Sequence, residues 1–217
     1  RLAEHVRRLQ ASFGECFGGP LAADVPAAVA GALGGRAGTW RVRVDAAPDG
    51  LRVEVCATDP VPLPEQPGLV LVAHRLGPAG APRHKFVDRA WIEAIEATLR
   101  PDEAALLVDD RGLVLESTRS CVAVVLGGRV TTPPLDGRIL PGTARRALLD
   151  VLDAAGLPYD LRAPGLDELA LADGMFVLNA VRGVQWVRAA PGACWAGPDA
   201  ATVRAADLLD ADGQATR

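Results

Sequence analysis

A mixed α/β (α+β) chain in two domains is what this sequence predicts, and three observations predict it. Apolar spacing is helical over roughly the first 33 residues and then switches to a period of two. A stretch at 59–68 carries four prolines in ten positions. Beyond it come seven short strand patterns, interrupted by three helical ones. The expected layout is a small α/β domain over 1–62 and a larger, strand-rich domain over 63–217.

Leu2, Val6, Leu9 and Phe13 stand at helical spacing, so the chain opens in an amphipathic helix that Gly18-Gly19-Pro20 ends. An Ala-rich helical stretch over 23–33 runs into Gly34-Gly35. Trp40, Val42 and Val44 then alternate with charged residues, as do Leu51, Val53 and Val55, and Pro48-Asp49-Gly50 between them reads as a hairpin turn. Gly34-Gly35-Arg36-Ala37-Gly38 is a turn and not a phosphate loop, because no Gly-Lys-Ser/Thr follows and a strand comes next. The proline-rich 59–68 is expected to be a stiff, extended connector. Strands are expected at 69–73, 104–108, 112–115, 121–126, 129–132, 175–178 and 184–188. Helices are expected at 88–99, from a Thr143 cap to Gly156, and at 200–210.

Composition narrows the function classes. Apolar residues make up 49% of the 217 and charged residues 23%, as in a globular protein. A formal net charge of -4 gives no basic footprint for nucleic acid. No apolar run approaches the roughly 18 residues of a membrane span. Cys16, Cys56, Cys121 and Cys194 form no C-x-x-C pair, which points away from metal and disulfides and towards reduced thiols in the cytoplasm. Met175 is the only methionine, so Arg1 is not expected to be the natural start.

One residue stands out. Lys85 is the only lysine, against 22 arginines. Arginine already supplies surface charge throughout the chain. What lysine can do and arginine cannot is lose its proton and act as an amine nucleophile, forming a Schiff base with an aldehyde. Read alone, Lys85 is equally a solvated surface charge.

Five segments in order resemble the class IV (fold-type IV) pyridoxal-phosphate enzymes, which include branched-chain and D-amino-acid aminotransferases and 4-amino-4-deoxychorismate lyases. His5-x-x-Arg8-Leu9 is similar to the family's H-x-x-R-L helix, and Lys85 falls at the Schiff-base lysine. Leu113-Val114-Leu115-Glu116-Ser117-Thr118 resembles the strand end that holds the pyridine nitrogen. Leu140-Pro141-Gly142-Thr143-Ala144-Arg145 resembles the L-P-G-x-[ST]-R turn, and Ala172-Asp173-Gly174-Met175-Phe176-Val177-Leu178-Asn179-Ala180 the late A-D-E-[MV]-F strand and its loop.

The resemblance implies a larger domain built as a pseudo-barrel, pyridoxal 5'-phosphate as cofactor, a small-molecule substrate and a homodimer. It implies Lys85 as attachment point and general base, and Glu116 as partner of the pyridinium nitrogen. The phosphate is expected at Gly142, Thr143 and Ala144, where a helix start offers backbone N–H groups and its dipole. Arg8 is expected to add a charged fork, while Arg7, about 100° away on the helix, stays solvated. Asn179 and Ala180 match a loop that approaches the phosphate, Ala180 with its backbone alone.

The chain departs from the pattern at Cys121, where asparagine is usual, and at Gly174, where an acid is usual. The first reads as a small buried substitute and the second as a local matter of turn and surface. Within the family, Lys85-Phe86-Val87-Asp88-Arg89 resembles the K-x-x-[ND]-R of the lyases, and Ala90 stands where branched-chain aminotransferases tend to have tyrosine. This favours a lyase that converts 4-amino-4-deoxychorismate to 4-aminobenzoate and pyruvate for folate synthesis. An aminotransferase for D-amino or branched-chain acids is the alternative, and a non-catalytic dimeric homologue is the alternative of another class. Arg75 and Arg83 are candidates for meeting a substrate carboxylate.

Overall fold

Helical spacing of Leu2, Val6, Leu9 and Phe13 forms α1 (Leu2–Phe17) in the computed structural model of the chain, which describes residues 1–58 and 61–215. Contacts divide the chain into two compact units, Arg1–Pro60 and Val61–Arg217. In the first, α2 (Val25–Leu33) starts at Asp24, whose carboxylate accepts the Ala27 N–H at 3.0 Å. β1 (Trp40–Ala47) and β2 (Gly50–Ala57) then pair as an antiparallel hairpin, Trp40 opposite Ala57 and Ala47 opposite Gly50.

Among the described residues, the second unit carries nine strands in one sheet. In chain order come β3 (Leu69–Arg75), α3 (Ala90–Glu96), β4 (Glu103–Val108), β5 (Val114–Ser117), β6 (Cys121–Leu126) and β7 (Arg129–Thr132). They are followed by α4 (Thr143–Ala154), β8 (Tyr159–Leu161), β9 (Gly174–Asn179), β10 (Gly183–Ala190), β11 (Ala193–Cys194) and α5 (Ala200–Ala215). Each of β3, β4, β5, β6, β9 and β10 pairs with the next, and β10 pairs back onto β3, so these strands close into a ring. Closure leaves them no free edge.

Near-continuous apolar runs in β4, β6 and β9 have a simple cause: both faces of these strands are covered. Leu106, Val108, Val122, Val124, Met175 and Val177 fill the inside of the ring. Ala123, Val125, Phe176 and Leu178 point outwards onto Leu148 and Leu152 of α4 and Ala205 and Ala206 of α5. Ala105 and Leu107 point outwards beneath α3, against Ile95 and Trp91. Because β3 and β4 are parallel, the chain must cross between them. That crossover, 76–102, carries Lys85 and α3.

Several expectations are corrected. Residues 59 and 60 of the connector lie outside the described residues, and the rest of it is not a free extended spacer. Leu63–Glu65 form a 3₁₀ turn, and Gln66 donates to the Val184 carbonyl at 3.0 Å and accepts from the Trp186 indole at 3.1 Å. β5 begins at Val114 and not at 112, because Asp109 draws Arg111 and Leu113 into a turn through their N–H groups. The helix expected at 88–99 spans Ala90–Glu96, since Asp88 accepts the Ala90 N–H and holds the entry outside the helix. The short strands β8 and β11 carried too few residues to show a period.

Gly174 is not a surface matter. It is buried at the start of β9, and a Cβ there would overlap the Asp199 carboxylate. Asp199 caps α5, accepting from Ala201 N–H at 2.8 Å, Thr202 N–H at 3.1 Å and the Thr202 hydroxyl. An acid at 174 would put two carboxylates in one place. Gly174→Ala is expected to destabilise the protein by about 1–3 kcal/mol, as overpacking does. Urea unfolding checks it, and a loss below about 0.5 kcal/mol, the size of a surface change, would mean that Asp199 moves aside freely.

Candidate active site

Glu116 owes its direction to a bulge. Val108 pairs with Val114, but Leu107 pairs with Glu116, so one extra residue, Leu115, is inserted on β5. Directly opposed residues share a face, and Val114 therefore points into the ring with Val108. Glu116 points outwards with Leu107, and with Cys121, its partner on β6. Without the inserted residue every side chain beyond it would change face. The Glu116 carboxyl is 9% exposed and accepts one hydrogen bond among the described residues, from the Leu140 N–H at 3.3 Å. Burial pushes its pKa up to about 8, and the Leu140 N–H offsets only part of that rise.

Leu140 begins the turn that opens α4. Gly142 occupies the N-cap position, so Thr143, expected as the cap, is the first helical residue. No side chain caps the helix, and its first turn holds no acid. Gly142 also lies directly on Cys121: a Cβ at 142 would overlap the Cys121 sulfur. Cys121 is thus a buried spacer between β6 and this turn, as its sequence position suggests. The outward row Leu107, Glu116, Cys121, Leu178 runs across β4, β5, β6 and β9, with the 140–142 segment resting on it.

Arg145, one residue beyond Ala144, is 4% exposed. Its Nη2 donates to the Pro133 carbonyl at 2.7 Å, while Nε has no hydrogen-bond partner. Among the described residues no carboxylate pairs with it, and burial lowers its pKa. A buried cation in the first turn of a helix, at the positive end of the dipole, leaves this corner short of negative charge.

Asn179 ends β9, one residue beyond Leu178. Its Nδ2 donates to the Ser120 hydroxyl at 2.9 Å, and its Oδ1 accepts the Val181 and Arg182 N–H groups, each at 2.9 Å. The Asn179 side chain therefore builds the 179–183 turn and ties it to the residue before Cys121. Ala180 is exposed on that turn.

Lys85 is exposed in the loop between β3 and α3, and that loop is tied down on both sides. Before the lysine, Ala81 N–H donates to the Arg138 carbonyl at 2.9 Å. After it, Arg89 Nη2 donates to the Thr118 carbonyl at 3.2 Å. Glu96 at the end of α3 accepts from the Thr118 hydroxyl at 2.8 Å and from Arg119 Nε at 2.6 Å. The two anchors lie on the segments that flank Glu116: the turn just after it and the stretch leading to Leu140. Glu116, Gly142, Thr143, Ala144, Asn179 and Ala180 are thus gathered at one end of β5, β6 and β9, with the Lys85 loop fastened to the same segments. Arg75 donates to the Asp110 carbonyl at 3.2 Å, at the end of β3, and Arg83 is exposed in the Lys85 loop. Arg8 lies on α1, in the first unit.

In the sequence neither Arg145 nor Arg138 stands out as a site residue. The first closes the Leu140–Arg145 motif, and its signal was an arginine amid a helix face otherwise apolar. The second stands in Asp136-Gly137-Arg138, which reads as an ordinary polar loop. Among the described residues no group of His, Cys, Asp or Glu could hold a metal, and no helix is long and apolar enough to cross a membrane.

These residues fit pyridoxal phosphate on the structure's own terms. A buried carboxyl with one backbone donor suits a ring N–H. An uncapped helix start beside a buried arginine suits a phosphate, and the one lysine lies on a loop fixed to both.

Comparisons with known proteins identify the family. The family model for amino-transferase class IV matches residues 1–190. A Thermotoga maritima protein described as a candidate branched-chain amino acid aminotransferase superposes with a TM-score of 0.79 at 21% identity, over 96% of this chain and 79% of that one. The 4-amino-4-deoxychorismate lyase of Pseudomonas aeruginosa superposes at 0.73 with 24% identity, over 97% of this chain and 85% of that one. A chloroplastic branched-chain amino acid aminotransferase of Humulus lupulus is 40% identical over 63 residues, which is 29% of this chain and only 15% of that enzyme's length. The chain belongs to the class IV amino-transferase family, whose enzymes depend on pyridoxal phosphate.

Proposed function

We propose that this protein is a lyase that converts 4-amino-4-deoxychorismate to 4-aminobenzoate and pyruvate, working as a cytoplasmic homodimer. When bound, pyridoxal phosphate supplies the electron sink for bond breaking at the substrate carbon. Lys85 would hold the cofactor through Nζ, and its amine would take the proton from the carbon that bears the substrate's amino group. Loss of that proton and cleavage of the C–O bond to the pyruvate group make the ring aromatic. Glu116 orients the cofactor ring by accepting from its N–H. The N–H groups of Thr143 and Ala144 hold the phosphate. Asn179 shapes the turn from which the Ala180 backbone approaches it.

Residue 90 carries the choice of reaction. Asp88, just outside α3, accepts the Ala90 N–H at 2.9 Å, and the first helical residue after the lysine loop is an exposed alanine. A small residue there leaves the side of the loop open to a ring-bearing substrate. The test is to supply aminodeoxychorismate alone and follow pyruvate. A lyase releases it over many turnovers without an acceptor.

The second reading is a branched-chain aminotransferase, favoured by the 40% identity to the hop enzyme over 63 residues. It predicts no pyruvate, and a visible absorption band that leucine bleaches and 2-oxoglutarate restores. That outcome would replace the lyase.

A further inference from the structure

We infer that Arg138, held by the buried carboxylate of Asp109, is a positioning residue that sets the Lys85 loop and the Glu116 carboxyl in register with one another. The inference rests on Lys85 and Glu116 being the working groups, as proposed above.

Arg138 lies in the 133–142 connection between β7 and α4, and three of its parts act in three directions. Its Nη1 donates to Asp109 Oδ2 at 2.7 Å, and the Asp109 side chain is 2% exposed. Its backbone carbonyl accepts the Ala81 N–H, four residues before Lys85. Its own chain continues two residues to Leu140, whose N–H reaches Glu116. Asp109 does more than hold Arg138. Its other oxygen, Oδ1, accepts the Arg111 and Leu113 N–H groups and so forms the turn that ends in the β5 bulge. One carboxylate therefore fixes both the turn that aims Glu116 outwards and the arginine that carries the lysine loop.

The contact with the loop is close enough to be specific. Gly80 has φ +70, and a Cβ there would come within 2.6 Å of the Arg138 carbonyl oxygen and 2.7 Å of its Cβ. Only glycine lets the loop settle on Arg138 in this way. Asp136 steadies the guanidinium from the exposed side, accepting from Nε at 3.0 Å and Nη2 at 2.6 Å. It cannot replace Asp109, because it belongs to the same loop and ties Arg138 to nothing else. An ion pair with one buried carboxylate is costly to break and poor as a mere stabiliser. Here it joins the residue after β4 to a loop that reaches Glu116 and the segment just before Lys85.

The test uses the full chain with Arg138→Met, which keeps the stem and removes the charge, with Arg138→Lys as the conservative variant. Gly80→Ala disturbs the same link without touching the ion pair. In the cofactor-free protein, Arg138→Met is expected to make the Ala81 amide exchange about tenfold faster while the fold persists. The Glu116 carboxyl, followed by NMR of the side-chain carbon, is expected to titrate above about 8 as the Leu140 N–H, which lowers it, is drawn away. Arg138→Lys should recover part of both. With pyridoxal phosphate and borohydride, trapping on Lys85 should fall several-fold in Arg138→Met and in Gly80→Ala, and the double variant should be no worse than the poorer single.

Wild-type Ala81 exchange and Glu116 titration in folded Arg138→Met would overturn the inference, and so would additive losses in the double variant. If Arg138→Met does not fold, Arg138→Lys and Gly80→Ala give the same readings. If the wild-type protein is not trapped at Lys85, the proposed function fails, and the two cofactor-free readings still decide the positioning role.

Discussion

Lys85→Ala is expected to abolish covalent retention of pyridoxal phosphate and to lower turnover by roughly 10²–10⁴-fold, the usual contribution of a positioned acid–base group. The expectation is unusually clean because Lys85 is the only lysine. The chain's one other primary amine is its N-terminus. Borohydride reduction and peptide mapping of the wild type should put the whole adduct on the peptide containing Lys85. Arg83 and Arg89 on the same loop cannot substitute, since a guanidinium keeps its proton at any working pH. Adduct on the N-terminal amine, or undiminished retention in Lys85→Ala, would remove Lys85 from the site.

Glu116→Gln is expected to change the pH dependence of stability as well as the rate. In the cofactor-free fold the Glu116 pKa is about 8, against 4.5 for the ordinary carboxyl. Below the lower value both folded and unfolded chains hold the proton, and the group has no effect on stability. Between the two values the unfolded chain has lost its proton while the folded chain keeps it, so stability falls as pH rises. Above about 8 the loss is complete. Its size is on the order of a few kcal/mol, at about 1.4 kcal/mol per pKa unit. Denaturant unfolding of the cofactor-free protein at pH 6 and pH 9 should show this fall in the wild type and a much flatter profile in Glu116→Gln. With substrate and cofactor, the same change should slow turnover roughly 10- to 100-fold by removing a charge-assisted contact. Wild-type turnover in Glu116→Gln would mean that Glu116 does not meet the ring, whatever its effect on stability.

Both predictions concern residues that could be found in the sequence, for reasons that differ. Lys85 was legible from composition, because one amine among so many guanidiniums needs no three-dimensional information to be noticed. β6 and β7 were legible to the residue, at 121–126 and 129–132, because the first is an apolar run between Ser120 and Gly127 and the second a β-branched run between Gly128 and Pro133. The Gly142–Thr143 turn was legible as a helix start from its glycine and the apolar period that follows. Where patterns were shorter or overridden, the reading slipped. Thr143 was expected to cap α4, and the cap fell to Gly142 because the turn has to pass directly over Cys121. Gly174 was placed at the surface, although the carboxylate that requires its missing side chain, Asp199, comes 25 residues later.

By itself, then, the sequence determined the element types and the family motifs, and it singled out the one lysine. All of these depend on residue type and on spacing within a single turn or strand. Tertiary structure alone decided which way those groups face. Glu116 points outwards because one extra residue on β5 shifts its pairing with β4, and a strand pattern with a period of two reads the same on either side of such a shift. Arg145 is a buried cation because of what packs over α4, and Arg138 reaches Asp109 across 29 residues of chain. Contacts between distant segments leave no periodic trace in the sequence, since each partner is locally an ordinary polar residue. Their significance arises only when the closed ring of strands brings them together and excludes water from between them.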